Sequence, residues 1–338
     1  MAVAARITIA EIAARAGVSA PTVSRVLNQR GDVAADTRER VEHLLAEHGY
    51  RRRGAPAPRP WTLIDLVFDD IDSPWALEVL RGVEDEAHGL GAGTVVSAVH
   101  GRAAERRRWL DNVRGRESGG AVLVTTGLDA ALRAELQELR IPVVVVDPAG
   151  GADLGLPTVG ATDWAGGRAA TQHLLDLGHT RIAHVAGRPD LWCSRARLDG
   201  YRAALDAAGV DLDRDLVATG AFDYRSGFEV TSRWLADGAA PTAVFAASDQ
   251  MALGVYEALR QTGRRVPDDV SVVGFDDLQE AQWSSPPLTT VRQPLDQMGR
   301  LAVRTLRRIT DGEDVASPRV ELATELVVRA STAPPRTA

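Results

Sequence analysis

The chain has 338 residues, of which 45% are hydrophobic and 25% charged, and its formal net charge at pH 7 is −7. This composition indicates a globular protein long enough for two or three domains. No apolar run approaches the roughly 20 residues of a membrane span, and the single cysteine, Cys193, excludes an intrachain disulfide and a cysteine-based zinc site. The first residues lack a long apolar segment followed by a cleavage site, so we expect a cytoplasmic protein without a membrane partner.

The first predicted elements are two short helices joined by a tight turn, in the stretch TIAEIAARAGVSAPTVSRVLN at residues 8–28. Apolar residues recur there at i, i+3, i+4 and i+7, the spacing of one helical face. Thr8 and Glu11 have the spacing of a capping box. Gly17 stands where the first helix should end, and Ser19 can cap the second helix. The pattern predicts a helix-turn-helix, whose second helix is of the kind that enters a DNA major groove.

A third amphipathic helix is predicted at residues 37–49, with Val41, Leu44 and Leu45 facing inward. Residues 1–59 contain ten arginines and six acidic residues, a net charge of +4 within a chain whose total is negative. A basic head on an acidic body is typical of a DNA-binding domain attached to a regulatory domain.

These motifs, followed by TRERV and HGY, resemble the DNA-binding head of the lactose-repressor family of bacterial transcription regulators. The resemblance implies that four polar residues cap helices or contact the DNA backbone: Thr8, Ser19, Ser24 and Asn28. It places Ala20, Pro21 and Arg25 at base-reading positions, while Thr22 either faces phosphate or lies at the edge of the core. Alanine and proline side chains cannot form hydrogen bonds with a base edge, so Arg25 is the strongest candidate for guanine readout.

Residues 54–60, GAPAPRP, are predicted to be a linker, because three prolines in seven residues favour an extended path. Members of the family usually carry a hinge helix here, whose leucine wedges into the minor groove. This chain has no leucine in the segment. Arg59 could enter a narrow minor groove in its place.

From residue 61 onward, short apolar runs alternate with segments of helical periodicity. The predicted strands are 62–68, 94–99, 121–125, 142–147, 181–186, 217–219, 243–247, 270–275, 289–291 and 322–329. The predicted helices are 74–90, 103–113, 129–139, 163–177, 195–208, 224–236, 249–262 and 294–310. Continuous apolar strands between helices predict a parallel sheet covered on both faces.

The expected fold is therefore an α-helical helix-turn-helix head followed by an α/β core of two doubly wound parallel-sheet lobes. The motifs RARLDGY, FAASDQMALG, VVGFDD and PPLTTVRQP resemble the family's core, which is similar to periplasmic sugar-binding proteins. The resemblance implies that the chain crosses between lobes three times. The predicted segments are a head at 1–53, a linker at 54–60, a first lobe at 61–161 and 291–320, a second lobe at 162–290 and 321–332, and a tail at 333–338.

Ligands of open α/β sheets bind beyond the carboxyl ends of the strands, so polar side chains at those ends are candidates for an effector site. Asp147, Asp276 and Ser248 end or follow predicted strands, and Arg197 lies near the start of a helix. Four aromatic residues are predicted to lie in loops near such ends: Trp75, Trp192, Phe222 and Trp283. Carboxylate and guanidinium groups form paired hydrogen bonds with vicinal hydroxyls, which favours a polyol or carbohydrate ligand.

The resemblance assigns specific roles to some of these residues. It implies that Arg197 and Asp276 are the main sugar-contacting pair. Ser248 falls at a contact position that is often asparagine, and Phe222 at an aromatic contact position. Trp75 falls in a loop that lines the cleft from the first lobe.

Other polar residues have plainer interpretations. Asp249 is expected to cap the helix at 249–262, and Asp277 to bond backbone in its turn. His179 and His184 flank a strand with a spacing that puts them on opposite faces, so no metal site is expected there. No cofactor is expected. Cys193 is interpreted as a bystander, not a nucleophile.

Three functions could use a fold of this kind. A ligand-responsive repressor would bind a pseudo-palindromic operator in double-stranded DNA as a homodimer, and we expect its effector to release the DNA. A transport receptor would use the same lobes, but the basic head argues against it. A nucleotide-dependent enzyme is disfavoured because no G-x-G-x-x-G stands between a first strand and its helix.

Overall fold

The computed structural model describes residues 8–27, 33–47, 61–116, 118–124, 130–149, 155–239, 241–313, 315 and 319–336. They form two compact units, Met1–Pro58 and Arg59–Ala338. We call the first unit the head and the second the core.

The elements are numbered in chain order. The α-helices are α1 (Ile9–Ala16), α2 (Ala20–Leu27), α3 (Ala35–Glu47), α4 (Pro74–Gly89), α5 (Ala103–Arg116), α6 (Ala130–Glu138), α7 (Asp163–Asp176), α8 (Trp192–Ala207), α9 (Tyr224–Ala236), α10 (Asp249–Gln261), α11 (Gln279–Trp283) and α12 (Leu295–Thr310). The strands are β1 (Leu63–Phe68), β2 (Gly93–Ala98), β3 (Gly120–Val124), β4 (Val143–Val146), β5 (Thr158–Ala161), β6 (Ile182–Ala186), β7 (Val217–Thr219), β8 (Ala243–Ala246), β9 (Ser271–Asp276), β10 (Thr289–Arg292), β11 (Arg319–Leu322) and β12 (Glu325–Val327).

The head is a three-helix unit built on local signals that the sequence contains. Thr8 caps α1 in a capping box with Glu11, and Gly17 ends the helix in the left-handed conformation at φ 65°. The helices enclose a small apolar core: Ile12, Ala13, Ala16, Val23, Val26 and Val41. Helix α3 begins at Ala35, two residues before the predicted start, and its Leu44 and Leu45 pack against that core as expected.

The core contains two six-stranded sheets, which confirms the predicted pair of doubly wound lobes. The first sheet has the order β11-β5-β4-β3-β1-β2, and the second the order β12-β10-β9-β8-β6-β7. Neighbouring strands are parallel, except that β12 pairs with β10 in the antiparallel sense. The central strands of each sheet are buried on both faces, and for this reason they appear in the sequence as continuous apolar runs.

The predicted last strand at 322–329 was wrong. The segment contains the end of β11 and the whole of β12, which belong to different sheets, and the chain changes lobe between them. At this break the Thr324 backbone N–H donates to the Thr162 hydroxyl at 2.9 Å, so the first and third lobe crossings are joined side by side.

Two predicted lobe boundaries also move by two residues. Strand β10 belongs to the second sheet through Arg292, whereas α12 packs in the core of the first lobe, so this crossing follows Arg292 instead of residue 290. The return crossing follows Leu322 instead of residue 320. Strand β5 and helix α11 were not predicted.

Candidate ligand site and DNA-binding surface

The Arg197 guanidinium is the centre of a buried polar cluster in the core. Arg197 lies in the second turn of α8 and is only 3% exposed. Its Nε donates to Asp163 Oδ1 at 2.8 Å, and one terminal nitrogen donates to the Ala247 carbonyl oxygen at 2.6 Å. The same terminal nitrogen lies 3.8 Å from Asp276 Oδ1. Burial alone would lower the pKa of Arg197, but the carboxylates led by Asp163 raise it, so the side chain remains a cation.

Asp276 ends β9 with an unusual backbone, at φ 121°. Its carboxylate accepts a hydrogen bond of 2.7 Å from the Gln293 side-chain amide, which fixes its orientation. Burial raises the pKa of Asp276 to about 7, although Arg197 and Gln293 act in the opposite direction. Near neutral pH this carboxyl group can therefore be ionised and accept hydrogen bonds, or be protonated and donate one.

Asp147 brings a carboxyl group from the first lobe to the same cluster. It follows β4 with a positive φ of 47° and is 9% exposed. Burial and the charge of Asp163 raise the pKa of Asp147 to about 7, and Arg197 opposes them. The Cys193 side chain also acts to lower this pKa. Burial and the charge of Asp147 in turn hold the pKa of the Cys193 thiol well above its usual range, so Cys193 is not an activated nucleophile.

Asp163, the strongest partner of Arg197, was not predicted as a site residue. It is the first residue of α7, directly after the first lobe crossing. Burial raises its pKa despite the two contacts with Arg197. An acidic residue at a helix start resembles an ordinary first-turn residue, so only its position at a crossing could have singled it out.

Two phenylalanines cover the cation. The Arg197 guanidinium lies 3.8 Å from the centroid of the Phe275 ring and 5.7 Å from that of Phe222. Phe222 has a left-handed backbone at φ 66°, and its ring packs on Gly187, where an added Cβ would overlap it. This packing holds the predicted aromatic residue beside Arg197.

The remaining predicted ligand residues have other contacts. Ser248 is buried and caps α10, accepting from the Met251 N–H at 3.2 Å. Trp75 does not lie in a loop but in the first turn of α4, where it packs on the core of the first lobe.

Trp192 is the first residue of α8, and its backbone N–H donates to the Ala149 oxygen of the first lobe at 3.1 Å. Trp283 ends α11 and is 72% exposed, and the described contacts do not join it to the Arg197 cluster.

Two of the plainer expectations for polar residues were wrong. Ser248, not Asp249, caps α10, because a serine hydroxyl at that position reaches the orphan N–H. Asp249 instead accepts from the Leu278 N–H at 2.8 Å and from the Thr290 hydroxyl, which ties α10 to the loop after β9 and to β10. Asp277 does not bond backbone in its turn, but forms ion pairs with Arg292 and Arg329.

His184 of the second lobe has a structural role. His184 is fully buried, its Nδ1 bonds to the Phe245 carbonyl oxygen at 2.9 Å, and burial lowers its pKa to about 3. Within the described part of the chain, the His, Cys, Asp and Glu side chains form no cluster that could hold a metal ion.

The cluster is suited to a neutral ligand rich in hydroxyl groups. Carboxyl groups from both lobes and one guanidinium offer acceptors and donors, and the Phe222 ring adds an apolar face. Arg197 and Asp276 can form paired hydrogen bonds with adjacent hydroxyls.

The head presents a polar surface on α2. Ala20, Pro21 and Arg25 are exposed, while Thr22 and Ser24 are half-buried. The Ser19 hydroxyl accepts from the Thr22 N–H at 3.3 Å and lies 2.9 Å from the Thr22 hydroxyl. The side chains of Ala20, Pro21 and Arg25 are thus not part of the head's apolar core. The predicted DNA contacts Asn28 and Arg59, and the linker at 54–60, lie outside the described residues.

Family models match both units of the chain. Residues 8–53 match "Bacterial regulatory proteins, lacI family", and residues 171–332 match "Periplasmic binding protein-like domain". None of the helices that the structure describes is long and apolar enough to cross a bilayer.

Relatives match nearly the whole length. HTH-type transcriptional regulator CelR of Thermobifida fusca is 37% identical over 96% of this chain and 98% of its own. The ribose operon repressor of Escherichia coli strain K12 is 34% identical over 96% of this chain and 99% of its own.

Solved structures agree with the fold. A transcriptional regulator CelR–cellobiose complex has a TM-score of 0.75 and 37% identity, covering 96% of this chain and 100% of that one. A lac repressor dimer bound to operator and the anti-inducer ONPF has a TM-score of 0.72 and 29% identity, covering 97% of this chain and 100% of that one.

Proposed function

Because the chain belongs to the LacI family of bacterial regulatory proteins, we propose that it is a DNA-binding transcription regulator whose core binds a sugar effector. Its relatives are transcription regulators, and we assign it no catalytic role.

The observation that carries the sugar assignment is the buried cluster at the carboxyl ends of β4 and β9. Asp147 belongs to the first lobe, and Arg197 and Asp276 to the second. A ligand held by all three contacts both lobes, so its binding depends on how the lobes are oriented. Cellobiose in the CelR complex supports a carbohydrate as the ligand class.

For DNA we propose that α2 enters the major groove of a pseudo-palindromic operator bound by a homodimer. Two-fold symmetry of the protein requires matching half-sites in the DNA. Arg25 is the proposed reader of guanine, Ala20 and Pro21 lie beside it, and Ser19 orders the start of the helix. The lac repressor relative, a dimer bound to its operator, supports this arrangement.

We propose that the protein is a repressor and that the sugar releases it from the operator. The sugar must bind the two lobe orientations with different affinities, since a ligand with equal affinity for both states shifts nothing.

The test begins with an operator selected from random DNA, followed by fluorescence anisotropy titrations of the full chain at fixed salt with a panel of sugars. The salt must be stated because phosphate contacts make the affinity depend on it. We expect a palindromic site whose binding weakens with one sugar class. Tighter binding with sugar would reverse the proposed sign, and a site that no sugar affects would remove the sugar assignment while leaving the DNA-binding role.

A further inference from the structure

A cavity adjoins the Arg197 cluster at the lobe crossings. It has a volume of about 320 Å³ and is lined by Asp163, Trp164, Trp192, Ala196, Arg319 and Glu321, among others. We call it the crossing cavity. Its volume is within the roughly 300–1,000 Å³ range of small-molecule sites. Asp163 belongs to both the cavity wall and the Arg197 cluster, since its carboxylate contacts the Arg197 guanidinium at 2.8 Å.

We infer that the crossing cavity is a subsite for a second sugar ring, so that the effector is a glycoside of at least two rings. This inference rests on the proposed function, because it assumes that a first ring is bound at the Arg197 cluster.

The cavity has two indole walls. Trp164 lies in the first turn of α7 and leaves 46% of its surface exposed. Two guanidinium groups lie over the Trp192 ring, that of Arg195 at 5.8 Å and that of Arg319 at 5.4 Å from its centroid. These cations hold Trp192 in place beside the cavity. Rigid aromatic walls suit the C–H face of a sugar ring.

The cavity also has charged groups that can bind hydroxyls. Arg319 and Glu321 form an ion pair on one side of β11, and the buried carboxyl group of Asp163 lies at the cavity wall. Guanidinium and carboxylate groups provide donors and acceptors in fixed planes, which suits adjacent hydroxyls on a ring. Indole faces together with such polar groups favour a carbohydrate over a purely apolar ligand.

The room for a ring comes from small side chains. Ala196 lies one residue before Arg197 on α8 and lines the cavity with only a methyl group. A larger residue there would fill the cavity without altering the contacts of Arg197 with Asp163.

The position of the cavity links it to the lobe orientation. Thr162 and Asp163 belong to the first crossing, and Glu321 lies just before the third, while Trp192 begins a helix of the second lobe. A second ring would thus contact the segments on which the lobes turn. A two-ring ligand can therefore differ from a single ring in its preference between the lobe orientations.

The experiment measures the binding of sugars to the full chain by isothermal titration calorimetry. The probes are glucose, galactose and xylose, each paired with disaccharides that contain it: cellobiose and maltose, lactose, and xylobiose. We expect at least one disaccharide to bind about tenfold or more tighter than its own monosaccharide, as one additional aromatic contact can provide.

The variant Ala196→Phe fills the cavity, and Ala207→Phe is its matched control on an exposed position of the same helix. Ala196→Phe should remove the disaccharide's advantage while leaving monosaccharide binding within about twofold, and Ala207→Phe should change neither. Trp164→Ala, at a 46% exposed residue, is a second variant should Ala196→Phe fail to fold, and it should also weaken only the disaccharide.

Equal binding of every disaccharide and its monosaccharide would overturn the subsite, as would an Ala196→Phe variant that weakens both in the same ratio. Either result leaves the proposed function intact, because the monosaccharide still binds. An absence of binding by all sugars of both lengths would instead overturn the sugar assignment and the subsite with it.

Discussion

The titration of Asp147 is controlled by burial more than by its contact with a cation. Its pKa is raised to about 7, first by burial and then by the charge of Asp163. An aspartate whose pKa is higher in the folded than in the unfolded chain stabilises the fold most at low pH. This stability is lost as the pH rises from about 4 to 7. Asp276 has a raised pKa for the same first reason and adds to the effect.

The variant Asp147→Asn should therefore change how stability depends on pH. Asparagine does not titrate. Between pH 5 and pH 7.5 the free energy of unfolding should therefore fall by about 1–3 kcal/mol less in the variant than in the parent chain. Urea unfolding of the ligand-free proteins at both pH values measures this. An identical pH dependence in parent and variant would show that Asp147 is ionised throughout.

Arg25 on α2 is the proposed contact with a base. If it reads a guanine, Arg25→Ala should weaken operator binding by about 1–3 kcal/mol and relax the preference at one base pair of each half-site. Arg202→Ala, which removes a half-exposed arginine from α8 in the core, is the control for general charge loss. Competition against operators substituted at each position measures both effects, and a uniform loss across all sequences would identify a phosphate contact instead.

At the scale of elements, the approach of α7 to α8 depends on glycine. A Cβ on Gly200 of α8 would meet backbone atoms of Trp164 and Arg168 on α7, which cannot move aside as a side chain can. Since Asp163 and Arg197 lie on these two helices, their contact depends on the same close packing.

Gly200→Ala should therefore lower the free energy of unfolding by about 1–3 kcal/mol, the usual cost of overpacking. Gly115→Ala is the matched control, because nothing lies within 4 Å of a Cβ at that helical position. It should be neutral or stabilise the protein by up to about 1 kcal/mol. Thermal unfolding followed by circular dichroism compares them, and a neutral Gly200→Ala would show that the helices can separate freely.

The elements that the sequence predicted well are those with a strong local signal. The buried strands of both sheets show continuous apolar runs, and α1 has a capping box and a glycine stop. Strand β5 was missed because TVGA is short and contains a glycine. The division between β11 and β12 could not be predicted, because the apolar pattern continues while the pairing partners lie in two different sheets.

The candidate site shows the same division. Position after a strand identified Asp147 and Asp276, and they do lie around Arg197. Asp163 and Gln293 were missed because they belong to lobe crossings, where side chains are brought together by tertiary structure alone. Trp192 was predicted in a loop but begins α8, three residues before the predicted start, since helix starts at strand ends cannot be located to within a turn from periodicity. Trp75 was also placed in a loop, although the helix predicted from residue 74 already includes it and α4 does begin there.

The proposed function is a coupling between sugar binding by the core and DNA binding by the head. If a sugar weakens operator binding by a given factor, the operator must weaken sugar binding by the same factor. Such couplings typically amount to about 1–3 kcal/mol, or roughly 5- to 150-fold. The salt dependence of operator binding should be steep with and without sugar, because it reports phosphate contacts.

The most direct test of this account measures the dissociation constant of the operator with and without saturating sugar, and that of the sugar with and without saturating operator, in one buffer. Coupling between the two sites requires both constants to rise by the same factor, at least about fivefold. A sugar that binds the core while the operator constant stays unchanged would contradict it, because the two-lobed core would then bind its ligand without regulating DNA.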